Sequence, residues 1–189
     1  TVEAIGKGGG RMVLARSSFD LTKSVMGLLP DAMIESTDAC LEATAAMLKK
    51  YDGAHDGRIT VSASFRGLNN ASDALITGLK ELANSHNTKL QTHACFSYST
   101  HDGCLSGFGV PEIERLEKLG VLDERMLLVH SGWLEPHEVA IIAERKPTLV
   151  AAPSSSMHNG YGNFIMGKLP ELMALGVNID ADMRLIEKS

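Results

Sequence analysis

The chain has 189 residues, of which 44% are hydrophobic and 22% are charged, a composition typical of a soluble globular domain. Its formal net charge of −5 argues against nucleic acid and anionic membranes as partners, because both favour a basic surface. No apolar run approaches the roughly 20 residues that a membrane-spanning helix needs, so no membrane partner is predicted. The length favours one domain over residues 1–189.

The first residues of the chain contain neither an initiator Met nor a basic segment followed by an apolar one, so we predict no signal peptide and expect upstream sequence. Their glycines, at positions 8–10, precede a predicted strand rather than opening a helix, which indicates a turn and not a phosphate-binding loop. The three cysteines match no zinc-finger or CxxC spacing and are predicted to be reduced cytosolic thiols: Cys40, Cys95 and Cys104. A cytoplasmic location follows from this interpretation.

Short runs rich in β-branched and other apolar residues recur along the whole chain and predict buried strands. These runs cover residues 11–15, 58–65, 89–95, 125–130 and 148–152, and a sixth begins at 177–179. The fifth run stops at Pro153, whose ring prevents the strand from continuing.

Longer stretches with helical spacing of apolar residues lie between these strands. The first places Leu41, Ala45 and Leu48 on one face, and Thr37 and Asp38 are its candidate caps. Ser72 or Asp73 is expected near the start of the second. The predicted helices cover residues 36–51, 71–85, 111–119, 135–145 and 169–175. The segments 97–109 and 154–162, rich in Ser, Gly, Asp and Asn, are predicted to be loops.

The alternation of strands and helices predicts an α/β fold with a parallel sheet. Periodicity alone does not choose between a barrel and an open, doubly wound sheet. A complete eight-unit barrel usually needs about 250 residues, and this chain is shorter.

Two histidines lie at the carboxyl ends of predicted strands, which is where α/β barrels have their functional residues. They are His93 and His130, and His158 lies in the predicted loop after the fifth strand. Imidazole is the commonest metal ligand and also serves as a general acid or base. One such histidine alone is more typical of a hydrogen-bonded core residue, but two at equivalent positions favour a functional site. The remaining histidines are predicted to be solvated surface residues: His55, His86, His101 and His137.

Five sequence phrases occur in order after the second predicted helix, and their combined spacing is specific. They read QTHACF, LEKLGVLDERMLLVHSGWLEPHEVAIIAE, APSSS, NGYGN and LPELMALGVNI. Residues 90–179, which contain them, resemble the amidohydrolase superfamily, in particular its nucleobase deaminases and s-triazine hydrolases. The most specific phrase covers residues 120–138, and a weaker likeness extends the resemblance to residues 11–180.

The resemblance implies a partial (β/α)8 barrel of the TIM type, without the first β/α units and without the last. It also implies a metal-dependent hydrolase that acts on carbon–nitrogen bonds, other than peptide bonds, of a small heterocyclic or amidine-like substrate. His93 falls on a metal ligand of the family, and His130 falls on a histidine that binds metal or polarises substrate and water. His158 and Asn159 fall on a segment that lines the substrate. The implied cofactor is a divalent ion, zinc or iron.

The chain departs from the family pattern at several catalytic positions. Phe96 stands where the family has its proton-shuttling glutamate, Gln91 replaces a histidine, and the H-x-H of the first strand is absent. The catalytic aspartate of the last strand would align near Arg184, and Asp180 or Asp182 replaces it only if that strand is shortened. Asp182 is therefore our candidate for the catalytic acidic residue of the last strand.

A second hypothesis follows from these departures: a catalytically inactive barrel fragment that binds a small molecule or a partner subunit. A partial barrel leaves sheet edges and apolar surface open, so a homo-oligomer is predicted.

Overall fold

The structure is a computed structural model that describes residues 2–21, 30–162 and 167–181. Six strands lie within these ranges and form one sheet. They are β1 (Met12–Ala15), β2 (Ile59–Gly67), β3 (Leu90–Ala94), β4 (Met126–His130), β5 (Thr148–Ala151) and β6 (Ile179–Ala181). Each coincides with a run predicted from the sequence, with ends that differ by one or two residues.

The order of the strands in the sheet is β1-β2-β3-β4-β5-β6, and every neighbouring pair is parallel. A doubly wound sheet reverses its strand order at a switch point, whereas a barrel adds each strand beside the preceding one. The strictly sequential order therefore decides the question that periodicity left open. The sheet is a curled half-barrel, and the prediction of a partial (β/α)8 barrel is confirmed.

Helices precede the sheet and connect its strands. They are α1 (Val2–Lys7), α2 (Thr37–Tyr51), α3 (Ala54–Gly57), α4 (Asp73–Ser85), α5 (Tyr98–Phe108), α6 (Glu112–Lys118), α7 (Pro136–Arg145), α8 (Pro153–Asn159) and α9 (Leu169–Ala174). A 3₁₀ turn covers Asp31–Met33. In the described part of the chain, no helix has the length and apolar character needed to cross a membrane.

The starts of the two longest helices are fixed by serine caps. Ser36 Oγ accepts a hydrogen bond from the Ala39 amide at 3.2 Å, so Ser36, and not Thr37 or Asp38, caps α2. A serine has this role because its short side chain satisfies an amide that the first turn leaves unpaired. Ser72 does the same for α4, through a 3.1 Å bond from the Leu75 amide.

Residues 97–109, predicted to be a loop, contain the helix α5 instead. The sequence is poor in helix-favouring residues, but Ser97 and Thr100 form a reciprocal capping box at its start. Gly109, with φ at +76°, ends it in a left-handed conformation that glycine adopts without steric cost. His101 and Cys104 are buried on its inner face. Capping and burial together override the weak helical propensity.

The second predicted loop, 154–162, is also largely helical. Pro153 occupies the first turn of α8, where its missing N–H leaves no bond unmade, and Gly160 ends the helix with φ at +64°. The prediction was wrong because serines and asparagines favour turns only when no cap and no tertiary contact holds the helix.

The hydrophobic core lies between the sheet and the helices. Alternate strand residues point into it, as in β4, where Met126 and Leu128 are completely buried. They pack in one cluster with residues of α4 and α6, among them Leu75, Leu79 and Leu116. The three cysteines are free and buried. This packing holds the strand ends in place.

Candidate functional site

The two strand-end histidines lie side by side at the carboxyl edge of the sheet. In the β3–β4 register His93 pairs with Val129, and Ala94 pairs with His130. The imidazole centroids are 5.5 Å apart, with an interplanar angle of 34°. The structure therefore brings together the two residues that the sequence singled out.

Strand β4 ends at His130 in an unusual backbone conformation. His130 follows the alternation of the strand and is buried like Leu128, whereas His93 is solvent-exposed. The φ of His130 is +82°, which is uncommon for a residue other than glycine. Such conformations cost free energy and cluster at functional sites. The conformation at His130 is thus a second, independent indication of a site.

Backbone hydrogen bonds hold the turns after the two strands together. The Ser131 amide donates to the Ala94 carbonyl at 3.0 Å, and the amides of Gly132 and Trp133 donate to the Cys95 carbonyl at 3.0 and 2.9 Å. Cys95 and Ser131 also have positive φ, at +51° and +48°. These bonds fix the β4 turn against the β3 turn, so the spacing of the imidazoles does not depend on flexible loops.

Aromatic rings surround His130. The Phe96 centroid lies 5.7 Å from that of His130, and the Tyr161 ring stands edge-on to the imidazole at 5.8 Å. Phe96 and Tyr161 contact each other at 5.0 Å. Phe96 therefore occupies space beside the histidine without offering a group that transfers protons.

Ser156 is a partner of His130 that sequence reasoning missed. Its hydroxyl lies 3.3 Å from His130 Nδ1, and both residues are buried. The contact orients the imidazole and leaves Nε2 for other partners. The serine run APSSS pointed to this segment, but only the helical conformation of α8 selects Ser156 from its neighbours.

The remaining predicted site residues lie apart from this pair or outside the described residues. His158 and Asn159 are exposed in the last turn of α8, where the Asn159 amide donates to the Ser155 carbonyl at 2.8 Å. Their assignment to substrate stays a prediction. Asp182 lies outside the described residues, and Asp180 is exposed on β6.

His101 differs from its prediction as a surface residue. It is 9% exposed, and its Nε2 lies 3.2 Å from Glu135 Oε1. The unexpected helix α5 explains the error, because it turns His101 inward, toward the loop that leads into α7.

The electrostatics of the pair favour neutral imidazoles. Burial, and secondarily the neighbouring His93, lower the pKa of His130 to about 4. Desolvation of the part of its ring that packs against the protein also lowers the pKa of His93, although a backbone hydrogen bond with Arg66 opposes the shift. A neutral imidazole has the free lone pair that metal binding requires.

The low pKa of His130 predicts a measurable titration. In the metal-free protein its ring-proton NMR shifts should change near pH 4 and stay constant around pH 7. His93→Gln removes a like charge that forms at low pH, so the pKa of His130 should rise yet remain below the ordinary 6.5, because burial persists. His86→Gln, at an exposed position, is the control and should leave it unchanged. Titration of His130 at 6.5 or above would contradict the described burial.

The described residues supply only part of a metal centre. Two adjacent neutral imidazoles suit two ligand positions of one ion, but a catalytic zinc usually takes three protein ligands. Across residues 2–21, 30–162 and 167–181, no group of three or more His, Cys, Asp or Glu side chains is placed to hold a metal. The pair therefore fits a metal site whose other ligands come from elsewhere.

The sequence of most of the chain matches a known family. The model of the amidohydrolase family matches residues 2–179. The chain belongs to the amidohydrolase family. Its resemblance to that family, stated from the strand-end motifs, is confirmed.

The chain is similar in sequence to deaminases and similar in fold to deaminases and triazine hydrolases of solved structure. The chain is 27% identical to the 5-methylthioadenosine/S-adenosylhomocysteine deaminase of Moorella thermoacetica over 170 residues, which are 90% of this chain and 38% of that protein. An atrazine chlorohydrolase from Arthrobacter aurescens TC1, complexed with zinc, superposes with a TM-score of 0.86 at 20% identity, covering 96% of this chain and 40% of that one. Guanine deaminase from C. acetobutylicum, with bound guanine, gives 0.81 at 19% identity, with coverage of 95% and 41%.

The chain thus spans less than two fifths of the length of the curated relatives it matches. Amidohydrolase relatives contain much sequence that has no counterpart here, so the activity of the whole protein is a matter for proposal.

Proposed function

We propose that the protein is a metal-dependent hydrolase of carbon–nitrogen bonds in small heterocyclic or amidine-like substrates. The observation that carries the proposal is the pairing of His93 and His130 at the carboxyl edge of an amidohydrolase sheet. The deaminase relatives support the reaction class, because deamination is hydrolysis of a carbon–nitrogen bond.

His93 and His130 are the residues we propose to hold a divalent ion, zinc or iron. Their neutral state at pH 7 suits them to it, and Ser156 holds His130 in orientation. When bound, such an ion supplies Lewis acidity, which activates water and polarises the electrophilic carbon of the substrate. The zinc in the atrazine chlorohydrolase supports this choice of metal. Further ligands, with Asp182 as the candidate acid, come from outside the described residues.

His130 has a proposed catalytic role as the alternative to metal ligation, because Ser156 occupies Nδ1 and only Nε2 is left for one partner. With a pKa of about 4 the imidazole is neutral at pH 7, so in that role it polarises substrate or water by hydrogen bonding rather than transferring a proton. Phe96 cannot carry the proton from water to the leaving group. His158 and Asn159, exposed after β5, are proposed to contact substrate.

One alternative has a specific observation in its favour. Phe96 packs against His130 and Tyr161 at the position of the missing glutamate, and the described ligand set is incomplete. A catalytically inactive barrel that binds a small molecule or a partner subunit would show both features. The cytoplasmic location and the homo-oligomer stay predictions.

Metal binding tests the proposal first. Equilibrium dialysis against zinc should show binding that His93→Ala weakens by at least about 100-fold, because loss of a residue that only hydrogen-bonds a metal ligand already costs about 10–100-fold. His86→Ala is the matched control and should bind as the parent does, because His86 is exposed and precedes the amino end of β3, whereas His93 lies near its carboxyl end. Equal loss in both variants, or no binding by the parent, would overturn the metal site.

Hydrolysis separates the two functions. Ammonia release should be measured on a panel of aminated heterocycles with the zinc-loaded protein and with Phe96→Glu. We expect slow release by the parent and faster release by Phe96→Glu, because the glutamate returns a proton-transfer group, an effect worth roughly 100-fold or more in other enzymes. Metal binding without hydrolysis in either protein would favour the inactive barrel.

A further inference from the structure

A small cavity of about 180 Å³ lies in the segments that follow β3 and β4 and is used by none of the chemistry above. The start of α5 and the loop between β4 and α7 form its walls. Its lining residues are Tyr98, His101, Trp133, Leu134 and Glu135. Pockets for whole drug-sized ligands measure about 300–1,000 Å³, so this one accommodates a single ring or a comparable substituent.

One hydrogen bond and one ring contact link the cavity to the candidate site. Trp133 Nε1 donates to the Tyr161 carbonyl at 2.8 Å, and the Tyr161 ring packs on His130. A group held in the cavity is therefore linked to His130 through Trp133 and Tyr161.

The lining combines aromatic rings with one carboxylate. Tyr98 and Trp133 stand edge to face, with centroids 5.9 Å apart, and 63% of Tyr98 is exposed, so its ring is accessible. Glu135 is exposed at the rim, and none of the five lining residues is Lys or Arg. Aromatic faces attract cations through their quadrupole, and a carboxylate accepts charge-assisted hydrogen bonds from them.

The buried His101 imidazole holds the Glu135 carboxylate in position. His101 Nε2 lies 3.2 Å from Glu135 Oε1, whereas His101 Nδ1 is buried without a hydrogen-bond partner in the described ranges. A fixed carboxylate loses less side-chain entropy when it binds a ligand than a mobile one does. The Glu135 carboxylate is thus a preorganised hydrogen-bond acceptor next to the rings of Tyr98 and Trp133.

We propose that this cavity is an accessory subsite for a small planar organic cation, such as an amidinium or guanidinium group. The cation stacks on the aromatic rings and donates N–H hydrogen bonds to Glu135. The subsite would select compounds that carry such a substituent beside the group presented to the histidine pair. Its existence does not depend on the proposed hydrolysis, because binding is measured without metal or turnover.

The only tryptophan of the chain lies in this cavity, so its fluorescence reports occupancy directly. Titration of the 189-residue chain with benzamidine, protonated at pH 7, should give a saturable change in Trp133 emission. Benzamide has the same shape without the charge and should bind at least about tenfold more weakly, the ratio that corresponds to 1.4 kcal/mol.

Glu135→Gln removes the charge at the cavity and should abolish the preference for benzamidine over benzamide. Glu124→Gln removes the same charge from an exposed position outside the lining and should retain it. Tyr98→Ala, at a largely exposed ring, should weaken benzamidine with little effect on the unfolding midpoint. Equal affinity for the two compounds, an unsaturable signal, or the same response in the two glutamine variants would overturn the subsite.

Discussion

Arg115→Met is expected to lower the free energy of unfolding by about 3–5 kcal/mol, because it leaves buried carbonyl groups without donors. Arg115 is 3% exposed. Its guanidinium donates to the carbonyls of Leu68 and Ala71 and, at 2.9 and 2.6 Å, to Asp73 Oδ1. It also stacks 3.4 Å from the centre of the Phe108 ring. Methionine fills part of the volume but makes none of these bonds. Urea unfolding followed by circular dichroism measures the loss.

Arg145→Met is the matched control for that prediction. Arg145 is exposed and pairs with Glu117 at 2.5–3.1 Å, a geometry as favourable as that of Arg115. Water replaces an exposed ion pair, so the expected cost is below about 1 kcal/mol. Arg115→Lys should fall in between, because an ammonium keeps the charge but not the planar fork. Equal costs at positions 115 and 145 would show that burial does not control the contribution.

The second large effect concerns pH. Glu112 is 1% exposed, and burial raises the pKa of its carboxyl to about 7, against the hydrogen bond that it accepts from the Cys95 amide at 2.8 Å. In the folded chain it keeps its proton up to about pH 7, whereas the unfolded chain loses it near 4.5. The folded state binds more protons in this window, so stability falls as pH rises through it, by about 3 kcal/mol in total.

Glu112→Gln should remove most of this decline, because an amide oxygen still accepts from Cys95 and carries no charge. The measurement is the urea midpoint at pH 5, 6, 7 and 8. The raised pKa of buried Glu138 acts in the same direction and leaves a residual slope. Glu114→Gln is the control: ion pairing with Lys118 lowers the pKa of Glu114, so its contribution is lost at low pH and not above pH 5. A decline that survives unchanged in Glu112→Gln would contradict the assignment.

The fold was largely predictable because its signals are local. Strands of a parallel sheet are continuous apolar runs, and each run found in the sequence is a strand. Amphipathic spacing also located α2, α4 and α7. The loop predictions for segments 97–109 and 154–162 were wrong, because the helices there depend on caps and burial, which composition does not reveal.

The site was predictable only in part. His93 and His130 could be found from their position at strand ends, since parallel strands end at the same edge. The contacts of His130 with Ser156 and Tyr161 could not be predicted, because Ser156 lies in a helix that the sequence did not indicate and Tyr161 follows the end of that helix. His101 was misjudged for a related reason: its burial follows from a helix that the sequence did not indicate.

The strands lie in the sheet in the same order as in the chain, and this order affects how the protein folds during its synthesis. Each strand pairs with the one made just before it, so its partner is already present when the strand is made; the longest connection is the one between β1 and β2. The sheet can grow from β1 toward β6 as the ribosome releases the chain, with each β/α unit covering the apolar edge of its predecessor. His93 and His130 lie on adjacent strands, so the pair is assembled as soon as β4 joins β3.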